Sequence, residues 1–329
     1  MNILIINYIK LFCLYTLFLS LKFPKKYYIF FKCCLKYIQY YHYLDKKCLK
    51  CPREIIFNGL NILSSEQTLD EIISKNKSIS RFGDGEFALI LGKGIGFQKA
   101  NKTLTKKLKE VLHNKRNRFL VGINIPYNKT YLDQYTYKSK QFFVNWVERE
   151  RIGLFTLINL KRKYYSSFIS RFYLEIEDKS IVPDYIKKLK QIWNQRDILI
   201  IEGEKSRLGI GNDLFNNSKS IKRIICPPEN AFNAYDKIIS QAKKFDKSFL
   251  ILLALGPTST VLAYDLFRLG YQAIDIGHVD IEYEWFLRKA TKKIQISNKY
   301  INELPVNRYK IGKVNEQKYY EEIVSKIIN

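Results

Sequence analysis

Two kinds of hydrophobic pattern alternate along the chain from Leu60 onward. Short runs that are apolar throughout, such as "RFLVGINIP", "DILIIEG" and "SFLILLALG", predict strands buried on both faces. Segments between them with apolar residues at helical spacing, such as "TLTKKLKEVLHN" and "VLAYDLF", predict amphipathic helices. The aromatic and basic region 130–190 predicts mostly helix. This alternation is typical of an α/β fold, a Rossmann-like, mostly parallel sheet with helices on both faces.

The first 55 residues follow a different pattern. "MNILIINYIKLFCLYTLFLSL" is apolar apart from one lysine, and a run of about 20 such residues can span a bilayer. The lysines and aromatic residues after it suit an anionic membrane surface on the cytoplasmic side. We therefore predict a membrane-associated segment, 1–55, and one α/β domain, 56–329, at the cytoplasmic face of the membrane or in the cytoplasm. The alternative for 1–55 is an apolar and aromatic helical extension packed on the domain.

Composition narrows the classes of function. The 329 residues include 56 Lys+Arg against 31 Asp+Glu, a net charge of +25, and 47% are hydrophobic, which excludes a disordered protein. Such a charge favours phosphates, anionic lipids or acidic polymers as partners. The basic residues are spread along the chain without a nucleic-acid-binding module, so we expect no nucleic acid partner. Only Cys226 lies beyond residue 51, which excludes a disulfide framework for the main domain.

Two carboxylates follow the first predicted strand of the domain, in "SISRFGDGEFALIL". Asp84 and Glu86 are two residues apart, so in an extended chain they point the same way, and the flanking glycines allow close backbone approach to a ligand. Oxygen ligands in this arrangement suit a hard divalent cation that also binds substrate phosphate. The alternative is an acidic helix start, in which both carboxylates lie near free backbone N–H groups.

Two further loops follow predicted strands and suit anions. In "EGEKSRLGIGND", 202–213, Lys205 and Arg207 stand among glycines, which favours a diphosphate site; a solvated surface loop is the alternative. In "GPTST", 256–260, proline and hydroxyl residues open a helix whose N–H groups could bind an anion. Ordinary helix capping explains this second pattern as well.

A fourth strand end, "DIGHVDIEYEWF", concentrates titratable side chains. His278, Asp280, Glu282 and Glu284 lie within seven residues. A histidine and three carboxylates at a strand end can supply a general base, although each could also be a structural polar group.

Together these motifs resemble the bacterial glycosyltransferases of the GT-D fold. The likeness covers about residues 60–290 and rests on R-F-G-D-G-E, E-G-E-K-S-R-x-G-x-G-N-D-L-F, L-G-P-T-x-T-V-L-A-Y-D-L and D-I-G-H-x-D-I-E-Y-E-W-F. It implies a Rossmann-like enzyme that transfers a sugar, typically glucose from UDP-glucose, to a lipid-linked or protein-linked glycan. It also implies a D-x-E motif with a divalent metal, Mn²⁺ or alternatively Mg²⁺.

The resemblance assigns Asp84 and Glu86 as the expected metal ligands. Physical reasoning from the residues adds the other roles, with His278, Asp280 and Glu284 as the candidates for binding and deprotonating the acceptor. The expected substrate and nucleotide contacts are Arg81, Lys205, Ser206, Arg207, Asn212, Thr258, Ser259 and Thr260. The rival hypothesis is a non-catalytic basic protein that binds a membrane surface or nucleic acid.

Overall fold

A computed structural model describes residues 57, 59–126, 129–304, 311 and 317–327. The predicted membrane segment and helical extension, 1–55, lie outside these residues. Within the described part of the chain, no helix combines the length and the apolar composition that a membrane crossing requires.

The unit that begins at Gly59 is built on a nine-stranded sheet of described residues. Its strands are β1 (Asn61–Ile62), β2 (Ser78–Phe82), β3 (Phe119–Ile123), β4 (Lys163–Ser166), β5 (Asp197–Gly203), β6 (Ser220–Cys226), β7 (Leu250–Ala254), β8 (Gln272–Asp275) and β9 (Ile323–Lys326). Their order in space is β1-β4-β3-β2-β8-β7-β5-β6-β9, and all neighbours pair in parallel. The predicted parallel α/β fold is confirmed.

The helices that connect these strands cover both faces of the sheet. They are α1 (Ser65–Lys75), α2 (Asp84–Ile90), α3 (Lys102–His113), α4 (Lys129–Asp133), α5 (Tyr137–Leu157), α6 (Val182–Lys190), α7 (Tyr235–Ala242), α8 (Pro257–Arg268), α9 (Val279–Leu287) and α10 (Gln317–Glu322). Helices α1, α6 and α9 share a core on one face, whereas α8 packs on β2 and β8 together with α3 on the other.

The central strands are buried on both faces, as their unbroken apolar sequence predicts. In β5, Ile198 and Ile200 belong to the core shared with α6, whereas Leu199 and Ile201 alternate with them and point to the opposite face. All four side chains are fully buried. Because both faces of the sheet are covered, every apolar side chain of β5 is removed from water, and the strand pairs in parallel with β6 and β7.

Two regions fold differently from the sequence-based expectation. The region 130–190 contains the long helix α5, but Lys163–Ser166 forms β4 instead of helix and pairs with β3. The carboxylates of "DIGHVDIEYEWF" lie on helix α9, which begins at Val279, and not on a loop. For Lys163–Ser166, pairing with β3 overrides a local pattern that is ambiguous between helix and strand.

The four strand ends singled out in the sequence belong to neighbouring strands. The order β2-β8-β7-β5 brings the loops after Phe82, Asp275, Ala254 and Gly203 to one stretch of the carboxyl edge. In parallel sheets covered by helices, ligands bind at this edge.

Candidate active site

A cavity of about 870 Å³ opens at this carboxyl edge. One side of it, which we call the strand-end wall, is formed by residues that follow β2, β8, β7 and β5: Gly83, Asp84, Glu86, Asp275, Gly277, Leu255, Gly256, Gly203 and Ser206, with Arg81. The sequence therefore predicted correctly that these four loops meet.

Arg81 and Asp275 form the centre of the strand-end wall. Arg81 Nη2 donates to Asp275 Oδ1 at 2.9 Å, its Nε donates to the Asp275 carbonyl oxygen at 2.8 Å, and its Nη1 donates to Ser170 Oγ at 2.7 Å. Burial raises the pKa of Asp275, although the Arg81 charge opposes this shift. With so many bonds, Arg81 holds the ends of β2 and β8 together and orients Asp275.

Gly277 is needed where Arg81 crosses the loop after β8. Its φ is +42°, in the region that favours glycine, and a Cβ at this position would lie 1.8 Å from Arg81 Nη2. Any side chain here would displace the guanidinium, so the glycine and the Arg81–Asp275 pair depend on each other.

Asp84 and Glu86 both line the cavity, at the start of helix α2. Asp84 is exposed, while Glu86 Oε2 accepts a hydrogen bond from Gly83 N at 2.8 Å. Burial raises the pKa of Glu86 to about 7, and the nearby charges of Asp275 and Asp84 act in the same direction. The alternative interpretation as an acidic helix start is therefore correct for Glu86, but it does not remove either carboxylate from the cavity.

Asp84 and Glu86 supply only part of the ligand set that a divalent cation needs. Within the described residues, no group of three or more histidine, cysteine or acidic side chains is arranged to hold a metal ion. Two carboxylates facing a cavity nevertheless match the way Mg²⁺-like ions bind, through one or two side chains with substrate phosphates and water completing the shell. The donor set fits a metal that arrives with its substrate, and Asp84 and Glu86 would hold it.

The glycine-rich loop after β5 contributes less to the cavity than expected. Ser206 lines the cavity, but Lys205, Arg207 and Asn212 are not among the described residues that do. Arg207 Nη1 donates to the Asn298 carbonyl oxygen at 2.5 Å. The N–H groups expected to bind phosphate are also used within the protein, because Leu208 N donates to Glu202 Oε2 at 2.8 Å.

Positive charge reaches the cavity from other positions. The cationic side chains in its lining are Arg81, Lys138, Arg171, Lys292 and Lys293. Of these, only Arg81 was identified from the sequence, because the others lie outside the glycine-rich motifs.

The hydroxyl residues at the start of helix α8 serve the fold. Thr258, Ser259 and Thr260 are fully buried. Thr260 Oγ1 donates to the Arg81 carbonyl oxygen at 3.0 Å, and Leu255 N donates to Ser259 Oγ at 2.6 Å. The loop residues Leu255 and Gly256 line the cavity instead. Ordinary structural bonding, the alternative left open by the sequence, describes the Ser259 and Thr260 hydroxyls, whereas Thr258 Oγ1 is buried without a partner among the described residues.

Helix α9 divides the three candidate bases into two groups: His278 precedes the helix, whereas Asp280 and Glu284 lie on it. Asp280 and Glu284 are four residues apart on one face and share Lys299, whose Nζ donates to Asp280 Oδ2 at 2.6 Å and lies 3.2 Å from Glu284 Oε1. Asn212 Nδ2 donates to both carboxylates, at 2.8 and 2.7 Å. This buried pair anchors the glycine-rich loop. Asp280 also lines the cavity, whereas Glu284 is not among the described residues that do.

His278 stands before helix α9 and lines the cavity. Its Nε2 lies 3.4 Å from Glu303 Oε1. Burial lowers the pKa of His278 to about 3, and the Arg171 charge adds to this effect. The imidazole is therefore neutral at physiological pH, able to accept or donate a hydrogen bond to a bound hydroxyl.

A second part of the cavity lining, which we call the aromatic wall, was not predicted. Its members are Phe142, Phe143, Trp146, Ser167, Phe168, Glu175 and Asn302. They come from helix α5, from the segment that follows β4, and from the residues near 302, none of which carries a recognisable motif. Asp275 was also not identified as a site residue from the sequence. Its position at the end of a predicted strand, inside the motif "DIGHVDIEYEWF", was the signal that could have indicated it.

A Rossmann-like parallel sheet with an acidic and cationic cavity at its carboxyl edge has its cavity where α/β enzymes bind their ligands. Comparison with known proteins makes this specific. The family model "Glycosyltransferase GT-D fold" matches residues 79–304. The chain belongs to this family.

Relatives and solved structures agree with this assignment. The chain is 40% identical over 263 residues to a probable glycosyl transferase, Gly, of Streptococcus gordonii, and 35% identical over 286 residues to glycosyltransferase GlyD of Streptococcus pneumoniae. These matches cover 79% and 87% of the chain but only 37% and 34% of the relatives, so the chain spans about a third of their length.

Two solved structures of the domain of unknown function 1792 share the fold. One, described as a distinct glycosyltransferase fold, is 37% identical, with a TM-score of 0.79 over 84% of this chain and 98% of that one. The other, described as a new glycosyltransferase from Streptococcus sanguinis, is also 37% identical, with a TM-score of 0.77 over 82% and 100% of the two chains.

Proposed function

We propose that the protein transfers a sugar, with glucose as the first candidate, from a UDP-sugar to a glycan acceptor, with a divalent metal as cofactor. The observation that carries this proposal is that Asp84 and Glu86, the family's D-x-E pair, line the cavity at the carboxyl edge of the sheet. Family membership supports the reaction class, and the position of the pair supports a metal-bound nucleotide diphosphate.

The strand-end wall would receive the donor. A bound metal would neutralise charge on the departing diphosphate, with Mn²⁺ the first candidate and Mg²⁺ the second. Asp84 and Glu86 would hold it, while Arg81 keeps Asp275 and the ends of β2 and β8 in place. Ser206 and Gly256 bring hydroxyl and backbone groups to the same side of the cavity.

His278 is the one of the three candidate bases that we retain for contact with the acceptor. His278 lines the cavity, and its Nε2 lies 3.4 Å from Glu303 Oε1. The Glu303 carboxylate could stabilise positive charge on the imidazole. Asp280 lines the cavity as well, but it and Glu284 are engaged by Lys299 and Asn212 and would act by holding the loop. A glycan acceptor could be lipid-linked or protein-linked, and association with a membrane surface would favour the lipid-linked kind.

The test is release of UDP from a panel of UDP-sugars by the full chain, with Mn²⁺, with Mg²⁺ and with a chelator. We expect one donor to be turned over and the chelator to abolish turnover. The Asp84→Asn variant should lose at least about 100-fold in kcat, the loss typical when one group that stabilises developing charge is removed. Asp184→Asn, on the exposed surface of α6, is the matched control and should keep full activity.

The opposite results have distinct meanings. No turnover of any UDP-sugar by the wild-type chain would overturn the proposal of a UDP-sugar donor. Turnover that survives both the chelator and Asp84→Asn would leave transfer intact but remove the metal from the proposal.

A further inference from the structure

A buried chain of charges joins the glycine-rich loop after β5 to the segment 317–327, which contains α10 and β9. Arg223, on β6, is only 1% exposed and lies between two carboxylates. Its Nη1 donates to Glu202 Oε1 at 2.7 Å, and its Nε donates to Glu322 Oε2 at 2.7 Å. Glu202 lies near the end of β5, and Glu322 ends α10. One guanidinium therefore links two parts of the chain that are far apart in sequence.

The second oxygen of Glu202 is used by the glycine-rich loop. Leu208 N donates to Glu202 Oε2 at 2.8 Å, so the loop and Arg223 share this carboxylate. Burial raises the pKa of Glu202, and the Arg223 charge opposes that shift and favours the ionised form. A charged acceptor makes a stronger bond to a backbone N–H than a neutral one does. Arg223 thereby strengthens the bond that holds Leu208.

The loop needs such a bond because its backbone is strained. Lys205 and Arg207 have positive φ angles, +70° and +53°, in the left-handed region that residues other than glycine rarely adopt. Backbone in this region persists only where its surroundings determine it. The Leu208 bond follows Arg207 directly. Gly203, Ser206 and Leu208 line the cavity, so the conformation that this bond holds is the one that places them there.

The segment 317–327 also contacts this network through apolar groups. The centre of the Tyr319 ring lies 5.3 Å from the central carbon of the Arg223 guanidinium. Tyr319 packs with Ile225, and Ile210 and Ile323 pack against that pair. Ile210 belongs to the glycine-rich loop, so an apolar contact between the loop and the segment runs beside the charged one. Strand β9 pairs with β6 at Arg223, and the register of the two strands shifts immediately after this residue.

Loss of Glu322 would change how Arg223 uses Glu202. The Arg223 Nε would lack its acceptor, and a buried donor without a partner is costly. A guanidinium readily engages both oxygens of one carboxylate. The Glu202 carboxylate would then be drawn towards Arg223 and away from Leu208 N. A change at Glu322 is in this way transmitted to the loop through Glu202.

We propose that Arg223 is a positioning residue that holds the glycine-rich loop in its cavity-lining conformation, and that the segment 317–327 acts on donor binding through Glu322. The effect on donor binding rests on the proposed function, whereas the effect on the order of the loop does not. The family model matches residues 79–304, so Glu322 acts from beyond the matched region.

The test measures the order of the loop directly and needs no turnover. Amide hydrogen exchange of the full chain, read by mass spectrometry of peptides that contain 203–211, compares the wild-type chain with Glu322→Ala. We expect exchange in the loop to become about 10-fold faster, because a bond to a charged acceptor is weakened. Exchange in β2 and β3 should not change, since these strands lie several positions away in the sheet. A general loss of stability would instead affect both regions.

Two further variants make the result specific. Glu321→Ala removes the same charge from an exposed position on α10, and it should leave exchange in the loop unchanged. Glu322→Gln keeps an oxygen acceptor at the same reach for Arg223, so its loop exchange should lie between that of the wild-type chain and that of Glu322→Ala. This milder variant also keeps the test decisive if Glu322→Ala is poorly folded.

Enzyme kinetics supply a second readout. Where a UDP-sugar is turned over, Glu322→Ala should raise the KM for the donor about threefold or more, the change expected when one hydrogen bond from the displaced loop is lost. The kcat should stay within about twofold, whereas a partly unfolded enzyme would lose kcat at constant KM.

Each outcome decides one question. Loop exchange that both Glu322 variants leave unchanged, or that rises equally in β2 and β3, overturns the positioning role. A constant KM with a lowered kcat overturns the effect on donor binding. Faster loop exchange in a chain that turns over no UDP-sugar supports the positioning role and counts only against the proposed function.

Discussion

The two walls of the cavity are built on opposite principles. On the strand-end wall, the buried charged groups are bonded to each other: Arg81 to Asp275, and Lys299 beneath the wall to Asp280. On the aromatic wall, Ser167, Glu175 and Asn302 present buried oxygens that no described residue satisfies. The comparison teaches that groups bonded within the protein hold a site in shape, whereas buried groups left unbonded cost free energy that the rest of the fold must offset.

The largest effect should come from breaking the buried pair beneath the strand-end wall. Lys299→Met leaves the Asp280 carboxylate buried without its cation, since both side chains are only 3% and 2% exposed. We expect the free energy of unfolding to fall by about 3–5 kcal/mol, measured by urea denaturation.

Two control variants make this result specific to the comparison. Lys244→Met, at an exposed lysine, should cost less than about 0.5 kcal/mol. Ser167→Ala on the aromatic wall should not lower stability, because it removes an unsatisfied buried oxygen. A loss for Ser167→Ala as large as that for Lys299→Met would break the distinction between the two walls.

An intermediate effect is expected where Arg81 crosses Gly277. Gly277→Ala places a Cβ 1.8 Å from Arg81 Nη2, so the guanidinium must move away from Asp275. Displacement of a positioned group by about 1 Å can lower turnover roughly 100-fold, and we expect such a loss in UDP release.

Gly270→Ala separates this displacement from simple backbone strain. Gly270 also has a positive φ, +91°, but a Cβ there would meet no atom within 4 Å. Both variants should lose about 1 kcal/mol of stability from the left-handed backbone. Gly277→Ala should lose more, because Arg81 also leaves the buried Asp275, and only Gly277→Ala should lose activity. Equal activity in the two variants would show that Arg81 does not need its observed position.

The smallest effect is a pH dependence of stability at the meeting point of the walls. The folded-state pKa of His278 is lowered to about 3 from an ordinary value of 6.5, by burial first. Between these values the unfolded chain binds the proton and the folded chain does not, so this contribution is present above pH 6.5 and is lost as pH falls towards 3. A single group with this shift loses about 2 kcal/mol between pH 7 and pH 5.

Urea denaturation at pH 7, 6 and 5 measures this contribution. In His278→Gln, which cannot be protonated, the decrease in stability on acidification should be smaller than in the wild-type chain. Identical decreases in the two proteins would show that His278 is not desolvated by the cavity.

The sequence by itself determined the sheet and the strand-end wall. The apolar runs predicted the central strands, with β5 covering the quoted "DILIIEG" from end to end. Because parallel strands place their carboxyl ends together, four local motifs were enough to predict that Asp84, Ser206, Gly256 and His278 would meet.

Only the tertiary structure decided which side chains face the cavity and which hold it together. Arg81 bonds to Asp275, which lies 194 residues further along the chain, and Lys299 bonds to Asp280 across a turn and a loop. Helix α9 directs Asp280 and Glu284 to Lys299 on one face, while Glu282 accepts from Tyr173 N on another. The aromatic wall had no local signal at all, because its residues come from three distant segments and are defined by the bonds that they lack. Local sequence patterns predict periodicity and the ends of strands. Which buried polar groups bond to each other depends on tertiary packing, which no short stretch of sequence determines.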